Sequence, residues 1–424
     1  MHPGHEGRKL MHHLIIGAGP AGVRAAEALR ALDPSAKVTL IDGEGEAPYS
    51  RMAIPYFLTG RIGEEGMWLH RPLEFYAENG MELVRGRVAK VDAAAKTVEM
   101  EDGGRLEYDR LLLATGARAV KPPVEGLSGD RVRHCWTVDD ARAIAKMARE
   151  GARVVLMGAG FIGSIILEAL VKRGVSLTVV EIEDRMVPRM LDETAGGMLK
   201  RWCEERGVRV LTSTRIEKVA EAGDGLSVEL SSGETLPADL LVVAAGVTPN
   251  IECMDGTGIE KRTGVVVNSR METSLPDVWA AGDCAEGCDF STGDLSTLAI
   301  QPVAVEQAVI AAKNMAGIDA EYHCALPMNV LETLGLITTS FGKHDGLEIG
   351  ERATLLDEPR WRYIRLEFHD DRLIGAQTAG HVRMVGCLRG LIQGRMRLGH
   401  WKDVLLREPH RIAEAYVDLS RGVS

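Results

Sequence analysis

Residues 12–42 read HHLIIGAGPAGVRAAEALRALDPSAKVTLID. A short apolar strand runs into Gly17-x-Gly19-x-x-Gly22, an alanine-rich helix follows, and a second strand, Val38 to Ile41, closes on Asp42. The first glycine permits a tight strand-to-helix turn. The second lets a pyrophosphate approach the backbone at the helix N-terminus, and the third lets the helix lie close on the strand. Asp42, 20 positions after Gly22, can accept hydrogen bonds from a ribose diol. Three glycines alone are an ordinary turn pattern. In a strand–helix–strand–acid frame they predict a dinucleotide site that includes Pro20 and Ala21 at the start of the helix.

The pattern returns 141 residues later. Residues 153–181 read RVVLMGAGFIGSIILEALVKRGVSLTVVE, with Gly158, Gly160 and Gly163 as the fingerprint, Phe161 and Ile162 opening the helix, and Glu181 as the closing acid. Two such sites imply two dinucleotides and an α/β fold with two Rossmann-like domains. A carboxylate at Glu181 repels a 2′-phosphate, and Ile182-Glu183-Asp184 adds negative charge, so NADH is expected over NADPH; Arg185 is the one nearby residue arguing the other way.

Three further segments fill in the pattern. Residues 108–118, YDRLLLATGAR, run a strand into Ala114-Thr115-Gly116; residues 239–250, DLLVVAAGVTPN, run another into Gly246; residues 273–285 read TSLPDVWAAGDCA. With these, residues 12–320 resemble the two-dinucleotide-binding flavoproteins, the pyridine nucleotide-disulfide oxidoreductases and their relatives. The resemblance implies that Gly17, Gly19, Gly22 and Asp42 hold the ADP half of FAD and that Asp283, after Gly282, meets its ribityl chain. It implies that Gly158, Gly160, Gly163 and Glu181 hold NAD(P)H, that the Val88 backbone meets the adenine, and that Arg118 lies near the FAD phosphates. The helix after Gln301-Pro302-Val303 would aim its N-terminal dipole at the flavin, where it favours negative charge on the reduced ring.

The loop 47–60, APYSRMAIPYFLTG, sits where such relatives place residues against the flavin. Coenzyme A-disulfide reductases and NADH oxidases carry a redox cysteine at the position of Met52; the ferredoxin- and rubredoxin-reductase branch carries a lysine at that of Tyr56. A thioether has no proton to lose and forms no disulfide, so disulfide exchange at this face is excluded. The glutamate that relatives place against the nicotinamide is Ile165 here. Lysine and glutamate are thus both absent, which leaves neither charge buried alone. Either hydride transfer from NADH persists, because the two cofactors carry the chemistry, or NADH has become a poor or regulatory ligand. Arg51, the one charge in the 47–60 loop, either stabilises the FAD pyrophosphate or an anionic reduced flavin or pairs with a nearby carboxylate; Tyr49, Tyr56 and Phe57 are expected to pack on the flavin.

The remaining composition sets limits. With 424 residues the chain has room for about three domains. Lys+Arg number 50 against 61 Asp+Glu, a net charge of −11, which disfavours nucleic-acid binding and a polybasic membrane anchor. No apolar run reaches the roughly 18 residues of a spanning helix. Residues 1–10 read as an upstream extension, with Met11 a second possible start and no signal-peptide core. The seven cysteines lack a CxxC and predict a reducing cytoplasm without disulfides. Cys284 and Cys288 are either a secondary thiol or metal pair or two packing residues; Cys135, Cys203, Cys253, Cys324 and Cys387 read as isolated packing residues. The 12 histidines form no ligand set, and no metal site is expected.

The expected domains are FAD-binding segments 11–119 and 246–320, an inserted NAD(P)-binding domain 120–245 punctuated by Pro122-Pro123 and Pro249, and an α+β domain 321–424. In the last, the period-two run 361–368, the turn 369–372 and a return strand from Leu373 precede helices expected at 381–396 and 402–419. This region resembles the small C-terminal domain of rubredoxin- and nitrite-reductase flavoproteins, and the resemblance implies a homodimer. The expected activity is FAD-dependent transfer of electrons from NADH to a separate acceptor, a small redox protein or partner subunit. The alternative is a flavoprotein subunit or NADH-responsive binding protein with little turnover of its own. Oxidation of a small amine or hydroxy acid would need a base near the flavin, and none is evident.

Overall fold

The strand His12–Ile16 lies at the centre of a five-stranded parallel sheet. In the computed structural model, which describes residues 10–70, 72–381 and 383–421, the order across this sheet is Val278–Ala280, Arg110–Leu113, His12–Ile16, Lys37–Asp42, Met81–Arg85. His13 pairs with Val38 on one side and Arg110 on the other. Leu14, Ile15, Leu40, Leu111 and Leu112 are fully buried, as a parallel sheet covered on both faces requires. The fingerprint helix Pro20–Leu32 packs on the long helix Gln301–Met315, and the strand Val278–Ala280 pairs with Arg110–Leu113, so the later part of the chain returns to the first sheet. Of the upstream stretch 1–10, residues 1–9, with His2 and His5 among them, lie outside the described residues.

A second parallel sheet repeats the plan, in the order Arg209–Leu211, Ser176–Val180, Arg153–Met157, Leu240–Val243, Val132–His134. Its fingerprint helix is Phe161–Lys172. The two chain crossings between the sheets run side by side: Ala117–Ala119 pairs antiparallel with Val247–Pro249.

The third sheet is antiparallel, in the order Met328–Thr333, Leu336–Gly342, Arg372–Ala379, Arg362–His369, Glu351–Asp357. The hairpin across 369–372 forms as the alternation predicts. The helices differ from expectation. The first spans Val385–Gln393, and the stretch expected to be one helix is two, His400–Arg407 and Ile412–Arg421. Between them Pro409 opens a short 3-10 turn. Proline lacks the N–H that would continue the ladder and disfavours helical backbone at Glu408.

One apolar cluster crosses all three regions. It takes Tyr49, Ile54, Leu58 and Met67 from the loop below the first sheet. The second sheet and its helix supply Val154, Leu156 and Ile166, and the third region supplies Leu331, Leu336, Tyr363 and Ala379.

The cysteines also depart from expectation. Cys288 and Cys324 form a disulfide, with Cα atoms 4.7 Å apart. They are 36 positions apart in sequence and meet because Asp289 and Ala325 form a parallel bridge. Spacing alone could not reveal that contact. Cys284 is buried and donates to the Leu113 carbonyl at 3.3 Å.

Candidate functional site

Both fingerprints share one backbone design. Gly17 and Gly158 sit at φ +113° and +99°, a region that favours glycine. A Cβ on Gly22 would stand 1.8 Å from the Gly17 carbonyl oxygen, and one on Gly163 would stand 2.2 Å from that of Gly158. The third glycine is therefore a requirement of helix–turn packing. At Gly19 and Gly160 a Cβ would meet nothing within 4 Å. Those positions face open space, as a backbone approached by a phosphate group would.

A cavity of about 680 Å³ opens above the first fingerprint. Gly17, Gly19, Pro20, Ala21, Asp42, Val88, Ala114, Thr115, Gly116, Arg118, Gly282 and Asp283 line it. Asp42 is buried; Oδ1 accepts from the Glu44 N–H at 3.1 Å, and Oδ2 has no partner. Burial holds its carboxyl above the usual range. An orphaned buried acceptor beside an open glycine turn fits the ribose and pyrophosphate of FAD. Burial also raises the Asp283 carboxyl, and the positive charge of Arg51 opposes that rise.

The second fingerprint helix enters the same cavity. Phe161, Ile162 and Ile165 line it together with Arg51 and Met52. Gly22, Gly158, Gly160, Gly163, Glu181, Gly246, Pro302 and Val303 are not part of its lining. Glu181 lies at the end of Ser176–Val180 and is buried; Oε2 accepts from the Ala159 N–H at 2.6 Å and Oε1 from the Glu183 N–H at 2.9 Å. Pro302 and Val303 occupy the first turn of Gln301–Met315, where Gln301 and Ala304 are the residues that reach the cavity.

Tyr56 corrects an expectation. It is 50% exposed and outside the lining, although Met52, Ile54 and Pro55 are within it. The segment Ile54–Leu58 is helical. At about 100° per residue, burying Ile54 and Leu58 turns Tyr56 outward. Arg51 realises the carboxylate alternative: it pairs with Glu44 and also donates to the Trp136 carbonyl at 2.6 Å and the Tyr49 hydroxyl at 3.0 Å. It still faces the cavity.

The protein-family model described as pyridine nucleotide-disulphide oxidoreductase matches residues 11–313. The chain belongs to this family. The epsilon subunit of the NADH-dependent phenylglyoxylate dehydrogenase of Aromatoleum evansii is 32% identical to this oxidoreductase over 362 residues, 85% of this chain and 86% of that protein. The rhodocoxin reductase of Rhodococcus erythropolis is 34% identical over 315 residues, 74% of each. A chain of the covalent putidaredoxin reductase–putidaredoxin complex superimposes with a TM-score of 0.89 at 24% identity, covering 97% of this chain and 99% of that one; this likeness concerns the fold.

Several lining residues of the oxidoreductase escaped the sequence reading. Trp136, Glu252 and Cys253 line the cavity. Arg118 pairs with Glu252 at 2.5 Å and donates to Asn250 Oδ1 at 2.9 Å. Cys253, expected to be an isolated packing residue, is pushed up to about 12 by burial and stays a thiol. Gln301 Oε1 accepts from Ser50 Oγ at 2.6 Å, which joins the 47–60 loop to the helix behind it. Trp136, Glu252 and Cys253 belong to no motif; Glu252 and Cys253 had only proximity in chain to Asn250 to mark them, and Trp136 had no signal. Among the described residues no group of three or more His, Cys, Asp or Glu side chains could hold a metal.

Proposed function

We propose that the protein is an FAD-dependent NADH:acceptor oxidoreductase that delivers electrons to a small redox protein or a partner subunit. The observation that carries this reading is one cavity lined by the first fingerprint and by the start of the second fingerprint helix, with no cysteine in the 47–60 loop that borders it. Bound FAD would supply the chemistry of accepting a hydride from NADH and releasing the electrons to a second partner. Asp42 and the Gly17–Gly22 turn would hold its ADP half, and Arg51 would offer a cation to its phosphates or reduced ring. Phe161, Ile162 and Ile165 present an apolar wall that orients a nicotinamide and excludes water. No carboxylate or lysine on that wall exchanges a proton with it.

Glu181 supports NADH over NADPH, because its buried carboxylate would face a 2′-phosphate with like charge. A partner subunit as acceptor is favoured by the likeness to a dehydrogenase subunit, and a small redox protein by that to rhodocoxin reductase. The third sheet supports a homodimer: Leu355 and Leu356 on its edge strand Glu351–Asp357, and Ile349 just before it, are exposed. We place the reaction in the cytoplasm, since its donor is a soluble dinucleotide. Among the described residues no helix is long and apolar enough to cross a membrane.

The test is anaerobic mixing of the yellow protein with NADH. Bleaching of the flavin band within about a second is expected, at a turnover ordinary for enzymes. An unbleached flavin at saturating NADH would overturn the reading and favour a binding subunit without turnover.

A further inference from the structure

Cys288 ends the strand Ala285–Cys288, five residues beyond Asp283, and Cys324 lies just before the third sheet. Both residues are partly exposed. Their backbones are held together independently of the sulfurs. The Ala325 N–H donates to the Cys288 carbonyl at 2.9 Å, and the Phe290 N–H donates to the Ala325 carbonyl at 2.9 Å. Phe290 packs against the core of the third region, to which Leu326 also belongs. A reduced pair would keep these two hydrogen bonds in place of the covalent link, close enough to re-form it but more easily parted. Cys324 has φ +58°, an uncommon conformation for a residue with a side chain.

The position of the crosslink gives it a consequence. From Cys288 the chain runs through 289–300 to Ala299 and Gln301, which line the cavity, then along Gln301–Met315 and back to Cys324. Every residue of that excursion lies inside the 36-position loop the disulfide closes. We propose that Cys288 and Cys324 form a reducible staple, opened by a dithiol, that sets how firmly segment 289–300 holds the cavity wall. Opening breaks the S–S bond; the dithiol gives two electrons and two protons, the protein gains two thiols, and the reductant leaves as its own disulfide. The bearing of the staple on the flavin rests on the function proposed above. The state of the sulfurs and the mobility of 289–300 do not.

The full-length protein, denatured without reductant, should show five reactive thiols among its seven cysteines. Reduction by dithiothreitol should raise the count to seven, and treating the reduced native protein with oxidised glutathione before denaturation should return it to five. In the native protein, amide hydrogens of 289–300 should exchange about tenfold faster after reduction. Cys288→Ser should reproduce the reduced behaviour without reductant. Seven thiols persisting after treatment with oxidised glutathione, or equal exchange in the two states, would overturn the staple. A flavin-free protein that gives the expected thiol and exchange results would overturn the proposed function and leave the staple standing.

Discussion

Gly19 and Gly22 lie three residues apart, yet they answer to different constraints. A Cβ at Gly22 collides with the Gly17 carbonyl, whereas one at Gly19 enters open space. Gly22→Ala should therefore lower stability by about 2 kcal/mol or more through forced repacking, read as an earlier denaturation midpoint with or without FAD. Gly19→Ala should keep the midpoint of the flavin-free protein and weaken FAD retention at least about tenfold. Equal loss of fold in both variants would contradict this division. The three-glycine pattern was legible in the sequence because its spacing is local. For Arg51 a carboxylate partner was one open alternative, but the Trp136 carbonyl was not legible, because it reaches Arg51 from a distant part of the chain. A second residue-scale effect comes from His13, which is fully buried, with neither ring nitrogen hydrogen-bonded. Burial first, and Arg110 second, lower its pKa to about 4 from 6.5. Above pH 6.5 the ring is neutral in the folded and unfolded chain alike and adds no pH dependence. Below that the unfolded chain binds a proton the folded chain refuses, so stability falls as pH drops from 6.5 towards 4, by up to about 1.4 kcal/mol per pH unit. His13→Met should flatten that part of the profile in urea titrations at stepped pH.

The strand Arg362–His369 shows how far alternation can be read. Its period-two pattern predicts a strand with one apolar face, and Ile364, Leu366 and Phe368 are buried on the third core. The other face bears Tyr363, Arg365 and Glu367, which composition alone would assign to solvent. Instead it meets the N-terminus of the helix Glu193–Glu204. Tyr363 donates to Asp192 Oδ2 at 2.6 Å, Arg365 donates to the same oxygen at 3.0 Å, and Asp192 caps the helix through the Ala195 N–H at 2.8 Å. Arg365 also donates to Glu367 at 2.6 Å, a carboxylate 2% exposed. Charge periodicity cannot distinguish a face covered by another part of the chain from one covered by water. Arg365→Ala should leave Glu367 with Arg352 as its remaining cation and cost about 3 kcal/mol, measured by chemical denaturation. Arg365→Lys keeps the charge but loses the planar fork and should fall between. A wild-type midpoint in Arg365→Ala would show that the contact is dispensable.

At the scale of the molecule, the two fingerprints and the alternating run 361–368 could be read from the sequence, because each is local in chain. The packing between the regions was not legible. Tyr49, Ile54 and Leu58 read as flavin-loop residues, yet they share one apolar cluster with Leu156 of the second sheet and Leu336 of the third. Chains with several separate cores commonly unfold in stages. Here a stage that melted the second sheet alone would expose apolar surface in both of its neighbours. Scanning calorimetry of the protein should therefore give one heat-absorption peak, with a van't Hoff enthalpy close to the calorimetric one. Two resolved peaks would show that the shared cluster does not couple the regions. All-or-none melting has a practical side. A destabilising change far from the cavity, even in the third sheet, would not leave a protein that still binds one dinucleotide and has lost the other; it would lower the population competent for both together.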